Sequence, residues 1–349
     1  MDYRYLGRTG IRVSPLCLGT MTFGGTTEPA QADQILRHAI DHGINFLDTA
    51  NVYNQGRSET ILGQAVADLG PAYRDRLVLA TKCHGNMFKP EHVEDPKLAQ
   101  LDPNRWGNSR RQVIEQCHAS LKRLGTDYID LYQIHRPHPA CPNDETLRAL
   151  DDLVTTGKVR YLGCSTFAGW QLVESLWVAE KLGLNRFVTE QPPYNLLDRR
   201  IERELAPACQ NFGLAIIPWS PLAGGFLTGK YKRAMNAPSG ARYSGGGGKG
   251  RADALLNNDR AFNILETVTQ LAKAKSCTPG QLALNWCMNQ PGITAPIIGP
   301  RTLDQLKDNL PCLDLTLTPQ DHDQLNAASP PGTHAVDYYK GSWEAYEYR

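Results

Sequence analysis

The stretch Ile44-Asn-Phe-Leu-Asp-Thr-Ala-Asn-Val-Tyr53 decides how the rest of this 349-residue chain is read. Ile44 to Leu47 is apolar enough for a short buried strand, Asp48 sits where that strand should end, and Tyr53 follows in the loop beyond it. Two further short apolar runs end in the same way. Leu77-Val-Leu-Ala-Thr81 stops at Lys82, and Tyr128-Ile-Asp-Leu-Tyr-Gln-Ile134 stops at His135. An acid, a phenol, an amine and an imidazole therefore lie at the C-terminal ends of three successive predicted strands. In a parallel β/α barrel those ends form one rim, and that rim is where active sites sit.

The remaining elements fit the same rhythm. Tyr3-Arg-Tyr-Leu, Gly7-Arg-Thr-Gly10 and Ile11-Arg-Val read as a β-hairpin. Leu16 to Thr20 is the first barrel strand, and Ala32 to His42 is helical, with Ile35, Leu36, Ala39 and Ile40 on one face. The next helix is expected to start at a Ser58 cap. Asn108 or Ser109 caps a helix that ends at Gly125, Asp144 opens one that Gly157 closes, and Trp170 to Leu182 is another. Val159–Ser165, Phe187–Gln191, Leu214–Pro218 and Ala295–Ile298 complete the strands. Later helices are expected near Ile201–Phe212, Arg260–Lys275, Pro279–Asn289 and Thr302–Leu310, and everything beyond reads as a tail. His84–Gly107 is polar and long, as active-site loops are. Another long loop reaches Asn257 and holds the run Gly245-Gly-Gly-Gly-Lys-Gly250, expected to be flexible. Eight strands alternating with helices, without a break in composition, predict an α/β (β/α)8 barrel forming a single domain over residues 1–349.

Composition narrows the function. A hydrophobic content of 41% suffices for a large core, and a net charge of +1 gives no reason to expect nucleic acid or a membrane surface. Nine cysteines without a C-x-x-C spacing argue for a reducing compartment rather than a disulfide framework. The N-terminus lacks the apolar run of a signal peptide, and no stretch is long enough to span a bilayer, so a cytoplasmic protein is expected. His135-x-x-His138 lacks acidic partners, so no metal is expected. Gly245-x-Gly247-x-x-Gly250 does not closely follow a strand and is not read as a dinucleotide fingerprint. Gly224-x-x-x-x-Gly229-Lys230 resembles a P-loop, but Tyr231 stands where a Mg-binding Ser or Thr belongs.

Gly43-x-x-x-x-Asp48-Thr-Ala-x-x-Tyr53, Lys82 and His135 resemble, in order and spacing, the Asp/Tyr/Lys/His tetrad of the aldo-keto reductase superfamily, in its bacterial NADP-dependent form. The resemblance runs from about Tyr5 to Leu310. It implies that NADPH reduces an aldehyde or ketone and that Tyr53 is the proton donor. A free phenol has a pKa of about 10, and a neighbouring ammonium such as Lys82 favours the phenolate. Asp48 would hold Lys82, and His135 would orient the carbonyl or assist proton transfer.

The resemblance also places an extended nicotinamide cofactor across the rim. Gly19, Thr20 and Met21 would line it, Ser165 and Gln191 would meet the nicotinamide amide, and Trp219 would stack on the ring. Thr166 stands where an Asn is usual. Ser220, Pro221, Leu222 and Gly224 match the pyrophosphate loop, Lys230 is a further cofactor position, and Gly299, Arg301, Gln305 and Asn309 match the adenosine and 2′-phosphate site. Phe23, Met87, Phe88 and Trp106 are expected to shape the substrate pocket. The partner is thus a small-molecule aldehyde or ketone, with no obligate protein partner evident. The alternative is a redox-sensing channel subunit that binds cofactor with negligible turnover.

Overall fold

The structure is a computed structural model and describes residues 1–87, 104–233 and 254–336. Two short antiparallel strands, β1 (Arg4–Tyr5) and β2 (Arg12–Val13), form the expected N-terminal hairpin. Eight parallel strands follow: β3 (Cys17–Gly19), β4 (Phe46–Asp48), β5 (Val78–Cys83), β6 (Ile129–Ile134), β7 (Val159–Ser165), β8 (Phe187–Gln191), β9 (Ala215–Ile216) and β10 (Ile297–Ile298). They lie side by side in chain order, and β10 returns to pair with β3. The ring closes between β9 and β10, where the Thr294 N–H donates to Ile216 O and the Ile297 N–H to Pro218 O, both at 2.8 Å. This is the (β/α)8 barrel that the alternation predicts.

Strand side chains alternate between two faces, and two separate apolar clusters mark them. Leu18, Leu47, Leu79, Tyr132 and Cys164 belong to the cluster under the helices. Cys17, Phe46, Val78, Ala80, Leu131, Ala215, Ile217 and Ala295 form a second cluster inside the barrel, joined by Leu6 and Val13 of the hairpin. The hairpin is tied to the N-terminal strand ends, with the Arg8 N–H donating to Gly213 O at 2.9 Å. Gly7, at φ +59, is held so closely that an added Cβ would lie 2.8 Å from three backbone atoms of Val188, Gly213 and Ala215. One step of two residues above this apolar floor, the inward positions become Asp48, Lys82 and Gln133.

The surrounding helices are α1 (Pro29–Asp41), α2 (Arg57–Leu69), α3 (Pro71–Arg74), α4 (Arg110–Leu124), α5 (Asn143–Thr155), α6 (Gly169–Leu182), α7 (Leu205–Phe212), α8 (Asp259–Ala274), α9 (Pro279–Met288), α10 (Leu303–Asn309) and α11 (Pro319–Ala328). Ser109 caps α4 by accepting from the Gln112 N–H, and Gly125 ends it in the left-handed conformation.

Two expectations are corrected. Ser58 is not a cap: Gly56, at φ +86, takes that position, and Ser58 lies buried within the first turn of α2. Its hydroxyl donates to Thr20 O at 2.7 Å and sits 2.9 Å from the hydroxyls of Thr20 and Thr49. The region after Leu310 is not wholly a tail, because α11 follows a capping box. The Thr318 N–H donates to Asp321 Oδ2 at 2.6 Å, and the Asp321 N–H donates to Thr318 Oγ1 at 3.3 Å. The Gly245–Gly250 run and Phe88 lie outside the described residues.

Gly63 brings α2 against the end of α4. A Cβ at Gly63 would lie 2.4 Å from Leu124 O and 2.7 Å from Leu124 Cα, and backbone cannot swing aside as a side chain can. Gly63→Ala should therefore destabilise the fold by about 1–3 kcal/mol. The expected result is a lower urea midpoint at an unchanged m-value. An unmoved midpoint would mean that the two helices separate at no cost.

Candidate active site at the barrel rim

Asp48 ends β4, Lys82 lies in β5 and His135 follows β6, so adjacent strands deliver three of the four tetrad side chains. Lys82 is fully buried. Its ammonium lies 2.5 Å from Asp48 Oδ1, 2.7 Å from Thr49 O and 3.4 Å from the Tyr53 hydroxyl. Three N–H groups thus have three acceptors. Burial acts to lower the Lys82 pKa, but the charge of Asp48 and the phenol of Tyr53 outweigh it, and the net shift is upward. The amine stays charged at neutral pH.

Tyr53 is positioned by an unusual turn. Asn54, Gln55 and Gly56 have successive φ values of +49°, +54° and +86°. Two of these are not glycine, so the turn needs outside support. The Asn54 amide supplies it by donating to Met21 O at 3.1 Å and Phe23 O at 2.8 Å. The Tyr53 and His135 rings meet edge to face at 5.7 Å. His135 is held well below its ordinary pKa, first by burial and then by Lys82, Arg136 and His84, so its imidazole is neutral. His84 is likewise lowered to about 4 by burial.

Asp48 carries a second set of partners that the sequence reading missed. Its Oδ2 accepts from Gln133 Nε2 and from Gln191 Nε2, each at 3.0 Å. Gln133 lies in β6, two residues before His135, and that spacing was the available signal.

The expected cofactor positions fall along one arc of the rim. Gly19 is in register with Asp48, and the Thr20 N–H donates to Asp48 O at 2.9 Å, while Met21 is exposed. Ser165 is in register with Gln191, and its hydroxyl donates to Gln191 O at 2.8 Å. Thr166 has φ +65°, a region where Asn is comfortable and a β-branched residue is not. Its hydroxyl accepts from Arg136 Nη1 at 2.9 Å. Trp219 is pinned by its N–H donating to Pro192 O at 2.9 Å.

Ser220, Ala223, Gly224 and Gly225 all have positive φ, an arrangement whose backbone N–H groups can form an anion-binding concavity. In the same loop Pro221 is buried and Leu222 packs on the core. Lys230 reaches back over Gly225, and its pKa is lowered by burial and then by the charge of Arg301. Gln305 accepts from the Arg301 N–H at 2.8 Å, so it shapes that turn. Gly299 is open to solvent, and Asn309 is buried in α10.

Of the expected pocket residues, Phe23 is fully buried in the core rather than at the rim surface, and Met87 is half-buried. Trp106 is 47% exposed and stacks at a tilt on His138, with ring centroids 4.7 Å apart. Among the described residues, no three His, Cys, Asp or Glu side chains cluster as a metal site, and no helix is long and apolar enough to cross a membrane. Two open depressions of about 380 and 350 Å³ share Gly125, Thr126 and Asp127, before the start of β6 and away from this chemistry.

On the outer face of the same strand ends, Cys164 and Glu190 are in register, and both are fully buried. The Cys164 thiol donates to Glu190 Oε2 at 2.9 Å, and the Phe167 N–H donates to Oε1 at 3.1 Å. Burial raises the Glu190 pKa from 4.5 to about 7, against the opposing effects of these bonds and of Arg136. Between those pH values the folded chain holds a proton that the unfolded chain has released. Stability should therefore fall as pH rises from about 4.5 to 7, then level off. At 1.36 kcal/mol per unit, the loss is about 3 kcal/mol. Denaturant titrations across this range should show a shallower decline for Glu190→Gln than for the parent. Identical slopes would remove the assignment.

The Aldo/keto reductase family matches residues 15–330. Similar proteins include uncharacterized oxidoreductase YrpG of Bacillus subtilis, 41% identical over 97% of this chain and 99% of that protein. Versiconal hemiacetal acetate reductase of Aspergillus parasiticus is 34% identical over 92% of this chain and 95% of its own length. A probable voltage-gated potassium channel subunit beta of Oryza sativa is 37% identical over 94% of this chain and 96% of its own length. A barrel carrying this buried Asp48–Lys82 pair beside Tyr53 and His135, matched over nearly its whole length, belongs to the aldo/keto reductase family of oxidoreductases.

Proposed function

We propose that the protein is a cytoplasmic, single-domain reductase that uses NADPH to convert an aldehyde or ketone to an alcohol. The observation that carries this reading is the Lys82 ammonium, which touches Asp48 on one side and the Tyr53 hydroxyl on the other. The nicotinamide cofactor, when bound, supplies a hydride to the carbonyl carbon. Tyr53 gives its hydroxyl proton to the carbonyl oxygen, and the adjacent ammonium stabilises the phenolate left behind. Neutral His135 accepts or donates a hydrogen bond without competing as a second cation. Met87, Phe88 and Trp106 would be the residues that meet the substrate.

The residues fit such a cofactor. Ser165, Thr166, Gln191 and Trp219 would hold the nicotinamide end, with Gly19, Thr20 and Met21 beside it. The left-handed residues of the Ser220–Gly225 turn suit a pyrophosphate. Lys230 and Arg301 are close enough for the charge of Arg301 to depress the Lys230 pKa, and such a pair of cations suits a 2′-phosphate. All nine cysteines are free, as a reducing compartment allows.

A second reading is favoured by the similarity to the channel subunit of Oryza sativa: a cofactor-binding regulatory subunit with negligible turnover. Following NADPH absorbance with a panel of small aldehydes and ketones separates the two, since only an enzyme consumes the cofactor.

Two substitutions test the reductase reading. Tyr53→Phe should lower kcat by roughly 10²–10⁴-fold while NADPH affinity changes little. Near-normal turnover in the folded variant would falsify the proton-donor role. Arg301 presents a fork to a phosphate dianion, and a hydrogen bond to a charged group contributes about 1.5–3 kcal/mol. Arg301→Ala should thus weaken NADPH binding roughly ten- to a hundredfold and leave NADH nearly unchanged. Equal losses for both cofactors would make Arg301 a structural residue.

A further inference from the structure

We propose that Glu190 is a positioning residue for the strained turn that follows β7, and that ionisation of its carboxylate tightens this turn and, with it, the hold of the rim on the cofactor. The inference rests on the cofactor reading above. Thr166 has φ +65°, a conformation that an Asn adopts unaided and a β-branched residue does not. Such a residue keeps that backbone only where its surroundings over-determine it. Two groups do so here. Arg136 Nη1 donates to the Thr166 hydroxyl at 2.9 Å, and that hydroxyl lies 3.2 Å from the hydroxyl of Ser165. From the other side, Glu190 Oε1 accepts from the Phe167 N–H at 3.1 Å, and the Thr166 N–H also bonds to the carboxylate. Successive N–H groups about a left-handed residue form a concavity that suits an anion. Arg136 thus grips the side chain of the turn and Glu190 its backbone.

The carboxylate can gain a proton without losing a partner. Cys164 Sγ lies 2.9 Å from Glu190 Oε2 and 3.6 Å from Thr189 O. With Glu190 ionised, the thiol donates to Oε2. With Glu190 protonated, the acid O–H donates to Sγ and the thiol turns to Thr189 O. Oε1 accepts from the turn in both states, but bonds to a charged acceptor are roughly twice as strong as neutral ones. The groups that face Glu190 leave its own charge as the variable. Burial keeps the thiols of Cys164 on β7 and Cys209 on α7 protonated, and Arg136 stays a cation. Glu190 itself is raised by burial to about 7. As pH rises through that value the turn is held more firmly, and binding of a cofactor that needs the turn in place favours the ionised form. Folding stability and cofactor affinity therefore respond to this proton in opposite directions.

The test measures equilibrium binding of NADPH and of 2′,5′-ADP on both sides of neutral pH. 2′,5′-ADP carries the same phosphate but no nicotinamide, so the ratio of the two affinities cancels the titration of the phosphate and of the cations around it. In the parent the ratio should rise in favour of NADPH by roughly three- to tenfold as pH increases, as exchanging a neutral for a charged acceptor implies. Glu190→Gln, which keeps an Oε1 acceptor without the charge, should hold the ratio at its low-pH value throughout. Thr166→Gly removes the strain while Glu190 stays in place. Its ratio should not change with pH, and adding Glu190→Gln to it should change nothing further; this variant also guards against misfolding of the first. The infrared band of a buried carboxylic acid, absent from Glu190→Gln, should weaken in the parent when NADPH is added just below neutral pH. A flat ratio in the parent, a step retained in Glu190→Gln or in Thr166→Gly, or a band that NADPH leaves unchanged would overturn the proposal. So would a ratio that falls as pH rises, the result expected of a carboxyl that serves stability alone. A parent that binds neither NADPH nor 2′,5′-ADP refutes the cofactor reading itself, and this inference with it.

Discussion

An ammonium without solvent must be given three acceptors or surrender its proton. Lys82 is such a group, and much of the rim is arranged to satisfy it. Asp48 supplies charge, Thr49 a carbonyl and Tyr53 a phenol. Each arrives from a different part of one connection: the end of a strand, the residue after it, and a turn further on. A buried ion pair is a poor device for stability, because desolvation offsets most of the attraction. Its retention here makes sense as chemistry. The pair keeps a full positive charge fixed next to a hydroxyl, where water would otherwise screen it.

That requirement spreads outward. Asp48 has two oxygens, and one ammonium satisfies only the first; Gln133 and Gln191 take the second. Tyr53 must come within reach of the amine, so its turn adopts three left-handed residues and is secured by Asn54. The helix after that turn is anchored through Ser58 to the ends of β3 and β4, and Gly63 lets it pack closely on α4. A glycine some distance from the chemistry thereby helps to set the position of the phenol.

The strands and the tetrad were legible because their signals are local. Short apolar runs ending in Asp48, Lys82 and His135 reveal themselves without knowledge of any partner. The boundaries of β7 and β8 were read directly, since seven and five residues respectively of favourable composition leave little freedom. What escaped notice depends on neighbours across the barrel. Gln133 looks like one polar residue in a strand until Gly163 and Asp48 are placed beside it. Glu190 is unremarked in sequence, and only the outward parity of its position shows that it is buried against Cys164. Helix α11 was overlooked because Leu325 is its one fully buried apolar side chain, so it has little periodicity to detect. Ser58 was misread because a serine at a helix start usually caps, while here a left-handed glycine had already taken that place.

The hairpin at the N-terminal end has a consequence for traffic. Leu6 and Val13 join an apolar floor of Cys17, Phe46, Val78, Ala80 and Leu131, and nothing in that floor relays a proton at neutral pH. Burial together with Asp48 holds even the Cys17 thiol protonated. The barrel is therefore a vessel with one mouth. On the proposed reductase reading, whatever enters above Lys82 would leave by the same opening, and the proton that restores Tyr53 would come down that route as well. Reloading that acid and clearing the product would then compete for a single passage, and a product that lingered would delay not only the next substrate but also the recharging of the group that made it.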